Sequence, residues 1–405
     1  MFSERTNWKL AQNRFTQAVE EARAGGARLF DLTVSNPTRA GLRYDEAAIL
    51  GALGSPRALD YDPQSKGLLS AREAVAEYYR AEHGVRDLDA ERIVLTTSTS
   101  EGYSFVFRLL CNAGDELLVP KPSYPLFEFL ADLQDVRLVP YPLIYDHGWQ
   151  MDFPSLERAV TERTRGVVVV HPNNPTGSFV KAGEVASLNS FCRERGLAVI
   201  ADEVFLDYGI RDGAEAVELR STGQPEAAVP TWSFVGNDNV LTFTLSGVSK
   251  IAALPQMKVA WVVTGGPAKL AAEAMGRLEV IADTYLSMNA PIQWAMPALL
   301  EQRKDIQRQL LERVRGNLAE LDRQLAGQKA CSRLEVDGGW YAVLRVPVTR
   351  SDEELAIELV REKAVVVHPG HFYDFPGDGY LVLSLITAED DFRDGMGRVF
   401  AFLNS

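Results

Sequence analysis

The feature that most constrains the fold of this chain is an alternation of short apolar runs with amphipathic stretches between residues 92 and 265. The apolar runs have the length and composition of buried strands: RIVLTT, ELLVP, VRLVPYPL, GVVVVHP, LAVIADEV, NVLTFTLS and KVAWVVT. Helix-like stretches such as SLERAV and KAGEVASLNSFCRER lie between many of them. Strand, helix and strand in repeated succession predict a mostly parallel sheet covered by helices on both faces, so we expect an α/β fold.

The last third of the chain has a different pattern, which predicts a second and smaller domain. A long helical tract covers about residues 267–327. The runs SRLEVDGGWYAVLRVP and GYLVLSLI then have the character of strands, with the helical run SDEELAIELVREK between them. We predict a large domain over residues 46–285 and a small α+β domain over residues 286–405, with the N-terminal segment 1–45 packed on the small domain.

The acidic composition narrows the possible partners. The chain of 405 residues has a formal net charge of -13, which disfavours binding to a nucleic-acid backbone. Its three cysteines are far apart and lack the spacing of metal ligands, so we expect ordinary thiols, no metal site and a reducing compartment. No run approaches the ~18 apolar residues of a membrane span, and the N-terminus lacks a signal-peptide pattern. These observations predict a cytoplasmic protein without a membrane or nucleic-acid partner.

Two residues that follow strand-like runs have side chains suited to catalysis. Lys250 stands between two apolar stretches in TLSGVSKIAAL, and a desolvated lysine is a nucleophile towards a carbonyl or an aldehyde. Asp202 ends the run LAVIAD, where a buried carboxylate needs a partner such as a protonated pyridine nitrogen. For these runs taken alone, a surface lysine and a helix-capping or ion-paired aspartate stay open as alternatives.

Two polar segments at the ends of predicted strands are candidates for ligand binding. HPNNPTG follows the most apolar run, and its Asn174 offers a side-chain amide at a turn. In LTTSTSEGYSF a strand leads into hydroxyl residues that precede an amphipathic helix. Hydroxyls together with N–H groups at a helix N-terminus form an anion site. A structural turn and an ordinary helix cap are the alternatives.

The order of these segments resembles that found in one family. GDELLVPKPSYP, HPNNPTG, ADEVF and SGVSK follow one another as in the class I/II aminotransferases of fold type I, which use pyridoxal 5'-phosphate (PLP). The upstream run YDPQSKGLLSAREAVAEYY is similar to the stretch before the first strand of their large domain. The resemblance extends from Ser35 to the C-terminus. It implies a three-layer αβα large domain with a mostly parallel sheet, plus a smaller α+β domain.

The resemblance implies roles in the cofactor site. Lys250 would form the Schiff base with PLP and then move the proton between the substrate carbon and the cofactor. Asp202 would keep the pyridine nitrogen protonated, Asn174 would hydrogen-bond the phenolic oxygen, and Tyr124 would stack on the ring. The residues expected at the cofactor phosphate are Ser98, Thr99, Ser100 and Ser249.

Two further positions concern the partner subunit and the substrate. Tyr61 corresponds to a tyrosine that reaches the phosphate of the neighbouring subunit's cofactor, which implies a homodimer with active sites at the interface. Asn36, in LTVSNPT, corresponds to a residue of the N-terminal loop that faces the substrate. The partners implied are therefore PLP, an amino donor, a keto acid and a second copy of the chain.

The cofactor site departs from the family pattern at three positions. Gly247 stands where the family has a serine three residues before the lysine, with Ser246 one step further away. Phe205 stands where the family usually has a tyrosine, which removes one hydrogen bond to the phenolic oxygen. Lys258 replaces an arginine of the phosphate site, so that the charge is kept and the planar bidentate guanidinium is lost. We expect PLP to bind with Phe205 and Lys258 in its site, and more weakly than with the arginine.

The substrate site departs further from the family pattern. The arginine that holds the substrate α-carboxylate falls at Val382, in GYLVLSLI, and an uncharged side chain does not replace it. Either another cation substitutes, or the substrate lacks a carboxylate at that place. Arg39, next to the SNPT loop, and His371, in VHPGHFYDF, are the candidates for this contact, although a surface or structural role is commoner for such residues.

The expected reaction is transamination, in which an amino donor and a keto acid exchange an amino group through a pyridoxamine form of the cofactor. The fold alone does not identify the reaction, because the same cofactor supports several chemistries. A carbon–sulfur β-lyase, or another α,β-eliminating enzyme, is the first alternative. A PLP-binding regulator is the second, although the chain shows no helix-turn-helix segment outside the enzyme-like region.

Overall fold

The strand-like runs form one large sheet and part of a small one. The structure, a computed structural model, describes residues 1–125, 127–210, 232–286 and 288–404. Its strands in chain order are β1 (Phe30–Asp31), β2 (Ile93–Thr96), β3 (Glu116–Lys121), β4 (Arg137–Tyr145), β5 (Trp149–Met151), β6 (Thr164–Val170), β7 (Ala198–Asp202), β8 (Thr242–Gly247), β9 (Ala260–Gly265), β10 (Ser332–Arg333), β11 (Tyr341–Arg345), β12 (Val365–Val366), β13 (His368–Pro369) and β14 (Tyr380–Ser384). Every strand-like run between residues 92 and 265 contains one of these strands, and the predicted α/β class is confirmed.

The large sheet has eight strands in the order β2-β9-β8-β7-β6-β3-β4-β5. The pairs within the series β4, β3, β6, β7 and β8 are parallel. Strand β9 runs antiparallel to both β8 and β2, so that β2 points the same way as β8. The carboxyl ends of β2, β3, β6, β7 and β8 therefore meet at one edge of the sheet, which is where ligands bind in sheets of this kind.

Helices cover both faces of the large sheet. The helices in chain order are α1 (Arg14–Ala24), α2 (Glu46–Leu53), α3 (Leu69–His83), α4 (Thr99–Leu110), α5 (Phe127–Asp132), α6 (Phe153–Ala159), α7 (Ala182–Arg195), α8 (Val248–Ile251), α9 (Ala268–Tyr285), α10 (Ala290–Leu325), α11 (Asp352–Lys363) and α12 (Glu389–Leu403). Trp261 of β9 packs in one apolar cluster with α3 and α10, and the next residue, Val262, packs in another with α4, α5 and α9. Successive side chains of a strand point to opposite faces, so these clusters are the two apolar layers of an αβα arrangement. No helix in the described ranges has the length and apolar character needed to cross a membrane.

Helix α10 joins the two parts of the molecule. It is 36 residues long. Its first half packs with the large sheet through Met296, and its second half packs with the C-terminal region through Leu310. The helix therefore belongs to both cores, and the division into residues 1–45, 46–285 and 286–405 stays a prediction.

The C-terminal region and the N-terminal segment build a second core. A four-stranded antiparallel sheet, called here the small sheet, has the order β10-β11-β14-β13, and β1 pairs in parallel with β12. Phe15 of α1 and Phe30 of β1 are buried in the same apolar cluster as Leu359 of α11. The first strand of the chain is thus tied to its last third by backbone hydrogen bonds and by apolar packing.

Candidate active site

Three predicted residues lie at the edge of the large sheet where parallel strands end. The register pairs Val170 at the end of β6 with Asp202 at the end of β7, and Asp202 with Leu245 of β8. Asn174 follows β6 in the next loop, and Lys250 follows β8 in α8. Because these strands are parallel neighbours, the side chains that follow them meet at one place.

The three residues border a cavity of about 410 Å³, a volume within the range of small-molecule sites. One part of its wall, the large-sheet side, includes Thr99, Tyr124, Asn174, Asp202, Phe205 and Lys250. The other part, the small-sheet side, comprises Ser35, Tyr341, His368, Phe372 and Tyr373. The cavity therefore lies between the two cores of the molecule.

The backbone at Lys250 is fixed by close packing. Strand β8 ends at Gly247, where a Cβ atom would lie 2.8 Å from the Cβ of Ala260, so only glycine fits against β9. Helix α8 begins directly after this glycine and carries Lys250. The Tyr208 hydroxyl donates a hydrogen bond to the Lys250 carbonyl oxygen at 2.6 Å. The chain that carries the amine is thus held from two directions.

The Lys250 amine lies over aromatic rings. Its Nζ is 4.9 Å from the centre of the Trp340 ring and 5.6 Å from the centre of the Phe205 ring. Burial lowers the pKa of Lys250 to about 8, although the Asp202 carboxylate acts in the opposite direction. An appreciable fraction of the amine is therefore unprotonated near pH 8, and this is the form that attacks a carbonyl carbon.

Asp202 is a desolvated carboxyl group with two hydrogen-bond donors. The Tyr103 hydroxyl donates to Oδ2 at 3.0 Å, and the Val204 N–H donates to Oδ1 at 3.1 Å. Burial raises the pKa of Asp202 to about 6, against the effect of both donors and of Lys250. Such a carboxyl group gains from a cationic partner in the cavity. Tyr103 was not predicted as a site residue from the sequence. Its position one helical turn after Thr99 places both on the same face of α4, and this spacing could have identified it.

Asn174 is held in a tight loop. Gly177 has a φ of 70°, and a Cβ atom there would lie 2.3 Å from a Val336 methyl group, so glycine is required. The Gly177 carbonyl oxygen accepts a hydrogen bond from the Gly338 N–H at 2.9 Å, which ties the loop to the segment before β11. The side-chain oxygen of Asn174 is buried and has no hydrogen-bond partner within the described chain. This amide is available to a polar group of a ligand.

The N-terminus of α4 offers an anion site at the cavity. The Ser98 hydroxyl accepts a hydrogen bond from the Glu101 N–H at 3.2 Å and thereby caps the helix. Thr99 and Ser100 border the cavity in the first turn, and Ser249 borders it from α8. N–H groups and the helix dipole at such an end attract a phosphate. The structure thus brings three of the four predicted hydroxyl residues to the cavity wall, while Ser98 serves as the cap.

Several predicted residues lie outside the cavity wall. Four of them have exposed side chains and do not border the cavity, namely Asn36, Arg39, Lys258 and His371. Asn36 instead accepts hydrogen bonds from the Thr38 N–H and hydroxyl, at 3.1 and 2.7 Å, and caps a 3-10 helix over Pro37–Arg39. Tyr61 borders a second cavity, of about 430 Å³, together with Trp294. These residues have no contact with the Lys250 cavity of their own chain because their loops direct them to solvent or to the second cavity.

The small-sheet side contains residues that were not predicted from the sequence. His368 opens β13 and pairs with Val382 of β14. It stands only three residues before His371 in VHPGHFYDF, but the 3-10 helix Gly370–Tyr373 leaves His371 exposed and brings Phe372 to the cavity. The place of His368 in the cavity wall depends on its pairing with Val382, and a single sequence does not reveal which strands pair.

The large-sheet side fits PLP. Lys250 offers an amine to the aldehyde and Asp202 offers a carboxylate to the ring nitrogen. The Asn174 side-chain amide borders the same cavity, and its NH₂ group suits the phenolic oxygen. The hydroxyls and N–H groups at the start of α4 suit the phosphate. Tyr124 and Phe205 border the same space and offer aromatic surface to the ring. The polar groups of this wall therefore complement the polar groups of the cofactor.

Comparisons with known proteins agree with this match. The family model for aminotransferase class I and II matches residues 8–391. The glutamate-pyruvate aminotransferase AlaA of Escherichia coli (strain K12) is 26% identical over 389 residues, which cover 94% of this chain and 91% of that protein. An alanine aminotransferase of Mycobacterium tuberculosis (strain ATCC 25618 / H37Rv) is 27% identical over 399 residues, which cover 96% and 89%. The solved alanine aminotransferase from Pyrococcus furiosus shares the fold, with a TM-score of 0.85 at 22% identity over 100% of both chains.

Proposed function

Because the chain belongs to the class I and II aminotransferases, whose cofactor is PLP, we propose that Lys250 and Asp202 are the residues that carry its transamination chemistry. The observation that carries this proposal is their juxtaposition. Both border one cavity at the ends of neighbouring strands, and each acts on the pKa of the other. A carboxyl group and an amine with pKa values shifted by burial in one cavity are typical of a catalytic site.

Lys250 is the amine that bonds to the cofactor aldehyde in this proposal. When bound, PLP supplies that aldehyde carbon and a protonated ring that withdraws electrons from the substrate carbon. The lowered pKa of Lys250, about 8, supplies the unprotonated nucleophile near neutral pH. When a substrate amine takes its place, the freed Nζ would accept the proton of the substrate α-carbon and would donate it to the carbon that was the cofactor aldehyde.

Asp202 is the acceptor for the N–H of the cofactor ring. Its negative charge keeps that ring nitrogen protonated, because a nearby carboxylate favours the cationic form. The Tyr103 hydroxyl and the Val204 N–H hold one carboxylate oxygen each, which fixes the orientation of the group. Tyr103 is therefore proposed as a positioning residue that acts through Asp202.

The remaining cofactor contacts follow from the same wall. We assign Asn174 to the phenolic oxygen, and Tyr124 and Phe205 to the faces of the ring. The phosphate is proposed to lie at the start of α4, against Thr99, Ser100 and Ser249. Lys258 is exposed and does not border the cavity, so its contribution is proposed to be long-range attraction rather than a direct contact.

The substrates are an amino donor and a keto acid. The names of the relatives supply candidates, namely glutamate and pyruvate for one and alanine for the other, and we propose small α-amino acids and their keto acids as the first to test. The carbon–sulfur β-lyase alternative lacks such support, because the matched family and these relatives are aminotransferases.

A homodimer in the cytoplasm is the proposed form of the enzyme. Tyr61 is 83% exposed, and three leucines that precede or follow it in the α2–α3 stretch of the sequence, Leu50, Leu59 and Leu69, are exposed as well. Apolar surface of this kind favours association with another chain. A second copy would cover it and bring Tyr61 to the cofactor of its partner. Sedimentation velocity should give a dimer, and a fully active monomer would contradict the shared site.

The absorption spectrum of the PLP-loaded protein tests the proposed function. We expect a visible band of bound cofactor that disappears on addition of L-glutamate or L-alanine and returns on addition of a keto acid. The returning band is the decisive observation, because elimination does not store an amino group on the enzyme. A band that persists with every amino donor, together with ammonia release, would favour elimination instead.

A further inference from the structure

We propose that His368 binds the carboxylate of the substrate and that Tyr373 positions its ring. This inference rests on the proposed function, in which amino acids and keto acids enter the cavity. A carboxylate that leaves water for a protein cavity needs a hydrogen-bond donor or a cation, since a desolvated charge without a partner is strongly unfavourable.

The basic groups of the cavity wall leave one candidate. Lys250 and His368 are the only lysine, arginine or histidine residues among those that line it, all of which belong to the described part of the chain. Lys250 lies on the large-sheet side and is the residue proposed to bond to the cofactor. Arg39 and His371, predicted from the sequence for this contact, are exposed and do not border the cavity. His368 is the remaining basic group, and it belongs to the small-sheet side.

Strand register puts His368 at the right place for this contact. His368 pairs with Val382, and Val382 pairs in turn with Val343 of β11. Directly paired residues present their side chains on the same face of a sheet, as do residues two apart in one strand. Tyr341, two residues before Val343, borders the cavity. His368 is therefore the polar member of a row that faces the cavity, directly beside the valine at the position predicted for the arginine.

The ring of His368 is held so that one nitrogen stays available. Its Nδ1 lies 3.1 Å from the Tyr373 hydroxyl. Phe15 and Phe372 pack against the ring, with centroid distances of 6.5 and 5.7 Å. Nε2 makes no hydrogen bond to the described residues. When the Tyr373 hydroxyl donates to Nδ1, Nε2 carries the proton and becomes a donor for a carboxylate oxygen.

The charge state of His368 makes the proposed contact with the carboxylate dependent on pH. Burial lowers the pKa of His368 to about 4, and Asp31 of β1 acts against this. The phenols of Tyr373 and Tyr341 stay neutral, because burial raises their pKa values. A bound carboxylate adds a negative charge beside the ring and favours the imidazolium, so that its binding takes up a proton. Affinity for a carboxylate should fall as pH rises from about 4 to the pKa of the complex, whereas affinity for a neutral amide should not.

A matched pair of ligands tests the contact directly. 2-Aminoisobutyrate and its amide differ only in the carboxylate, and neither has an α-hydrogen, so both bind without completing the transfer. We would measure Kd for each by absorbance titration of the PLP-loaded protein. In His368→Asn we expect Kd for the acid to rise about tenfold or more and Kd for the amide to change less than about twofold. The surface variant His147→Asn is the matched control and should leave both constants unchanged.

The pH readout separates a direct contact from a structural role. Below about pH 6 both ligand amines stay protonated, so the ratio of the two Kd values, acid over amide, reports on His368. In this range the ratio should increase with pH in the wild type and be flat in His368→Asn. His368→Arg should restore binding of the acid, because a guanidinium pairs with a carboxylate. Tyr373→Phe serves as a second variant if His368→Asn does not fold, and it should raise the ratio about threefold.

Three outcomes would overturn the inference. The first is an equal change for both ligands in His368→Asn, and the second is no change for either. The third is a shift of the ratio in His371→Asn instead. A PLP-loaded protein whose spectrum responds to neither ligand, nor to any amino donor, would refute the proposed function itself and this inference with it.

Discussion

The two sides of the cavity are built in different ways. On the large-sheet side, Asp202 ends a parallel strand, and Asn174 and Lys250 follow the two neighbouring parallel strands. Their proximity follows from one rule, that the carboxyl ends of parallel strands share an edge of the sheet. On the small-sheet side, Ser35 comes from the N-terminal segment and His368 from β13, and only the packing of distant segments brings them together. The residues proposed for the chemical step are therefore placed by the topology of one sheet, whereas the residue proposed for substrate recognition is placed by the packing of separate segments.

The two sides also differ in their charge. The large-sheet side holds an amine with a lowered pKa and a carboxyl group with a raised one, Lys250 and Asp202. The small-sheet side is neutral near pH 7, because burial lowers the pKa of His368 to about 4 and keeps the phenol of Tyr373 protonated. A change on the first side should therefore affect the chemical step, and a change on the second should affect substrate binding.

The largest effect should come from removing the amine of the large-sheet side. Lys250→Ala should lower kcat by about 10⁴-fold or more, because it removes both the nucleophile and the proton carrier. Borohydride reduction followed by mass spectrometry should find no cofactor on the variant chain. Lys269→Ala, on the exposed start of α9, is the control and should keep wild-type labelling. Rapid turnover by Lys250→Ala would remove this residue from the mechanism.

The next effect concerns the partner of the cofactor ring. Asp202→Asn should lower kcat by about 10²- to 10³-fold, because a neutral amide no longer stabilises the protonated ring nitrogen. Substrate Kd values, measured with the non-reacting pair, should change little. The exposed Asp87→Asn is the control. If Asp202→Asn weakened substrate binding and left kcat unchanged, the two sides of the cavity would not have the separate roles proposed for them.

Asp202→Asn should lower kcat but stabilise the folded protein above about pH 6. The pKa of Asp202 is raised from 3.8 to about 6 in the folded protein, so the folded state holds the proton more tightly than the unfolded chain. Below about pH 4 the raised pKa of Asp202 contributes about 3 kcal/mol to the free energy of unfolding. This contribution is lost as pH rises through about 6. Without cofactor, Asp202→Asn should therefore raise the melting temperature at pH 7.5 and leave it unchanged at pH 4. A fall at both values would indicate a structural role for the carboxylate.

A smaller effect on the large-sheet side should come from the residue that orients Asp202. Tyr103→Phe removes the hydrogen bond to Oδ2 and should lower kcat about five- to tenfold. It should also raise the pKa of Asp202 further, since a donor to the charged form is lost. Tyr141→Phe, which loses a buried hydrogen bond to the Val168 carbonyl oxygen, is the control for stability alone. Equal kcat losses in both variants would deny Tyr103 its positioning role.

The smallest effect should appear on the small-sheet side. Tyr373→Phe leaves the His368 imidazole present but removes the hydroxyl that holds its Nδ1. We therefore expect the ratio of the two Kd values, acid over amide, to rise about threefold and kcat to stay unchanged. Tyr145→Phe, whose hydroxyl accepts from the Glu335 N–H outside the cavity wall, should leave the ratio as it is. A change in kcat rather than in binding would show that the two sides are not separable.

Much of the large-sheet side was predictable because its residues are tied to local sequence signals. The apolar run before Asp202, the turn residues around Asn174 and the glycine before Lys250 each mark a strand end, and strand ends of one direction share an edge. The interpretation of Tyr124, Phe205, Thr99, Ser100 and Ser249 as residues of the same site agrees with their position in the wall. Their individual roles stay predictions.

The sequence alone determined the α/β class, the edge of the sheet where the site lies and the residues on its large-sheet side, because these depend on patterns a few residues long. Only the tertiary structure decided which basic residues line the cavity. It brought His368 to the cavity and left Arg39 and His371 exposed, although His371 stands three residues from His368. The physical reason is that strand register and a short helical turn set the direction of each side chain, and both depend on contacts between segments far apart in the chain.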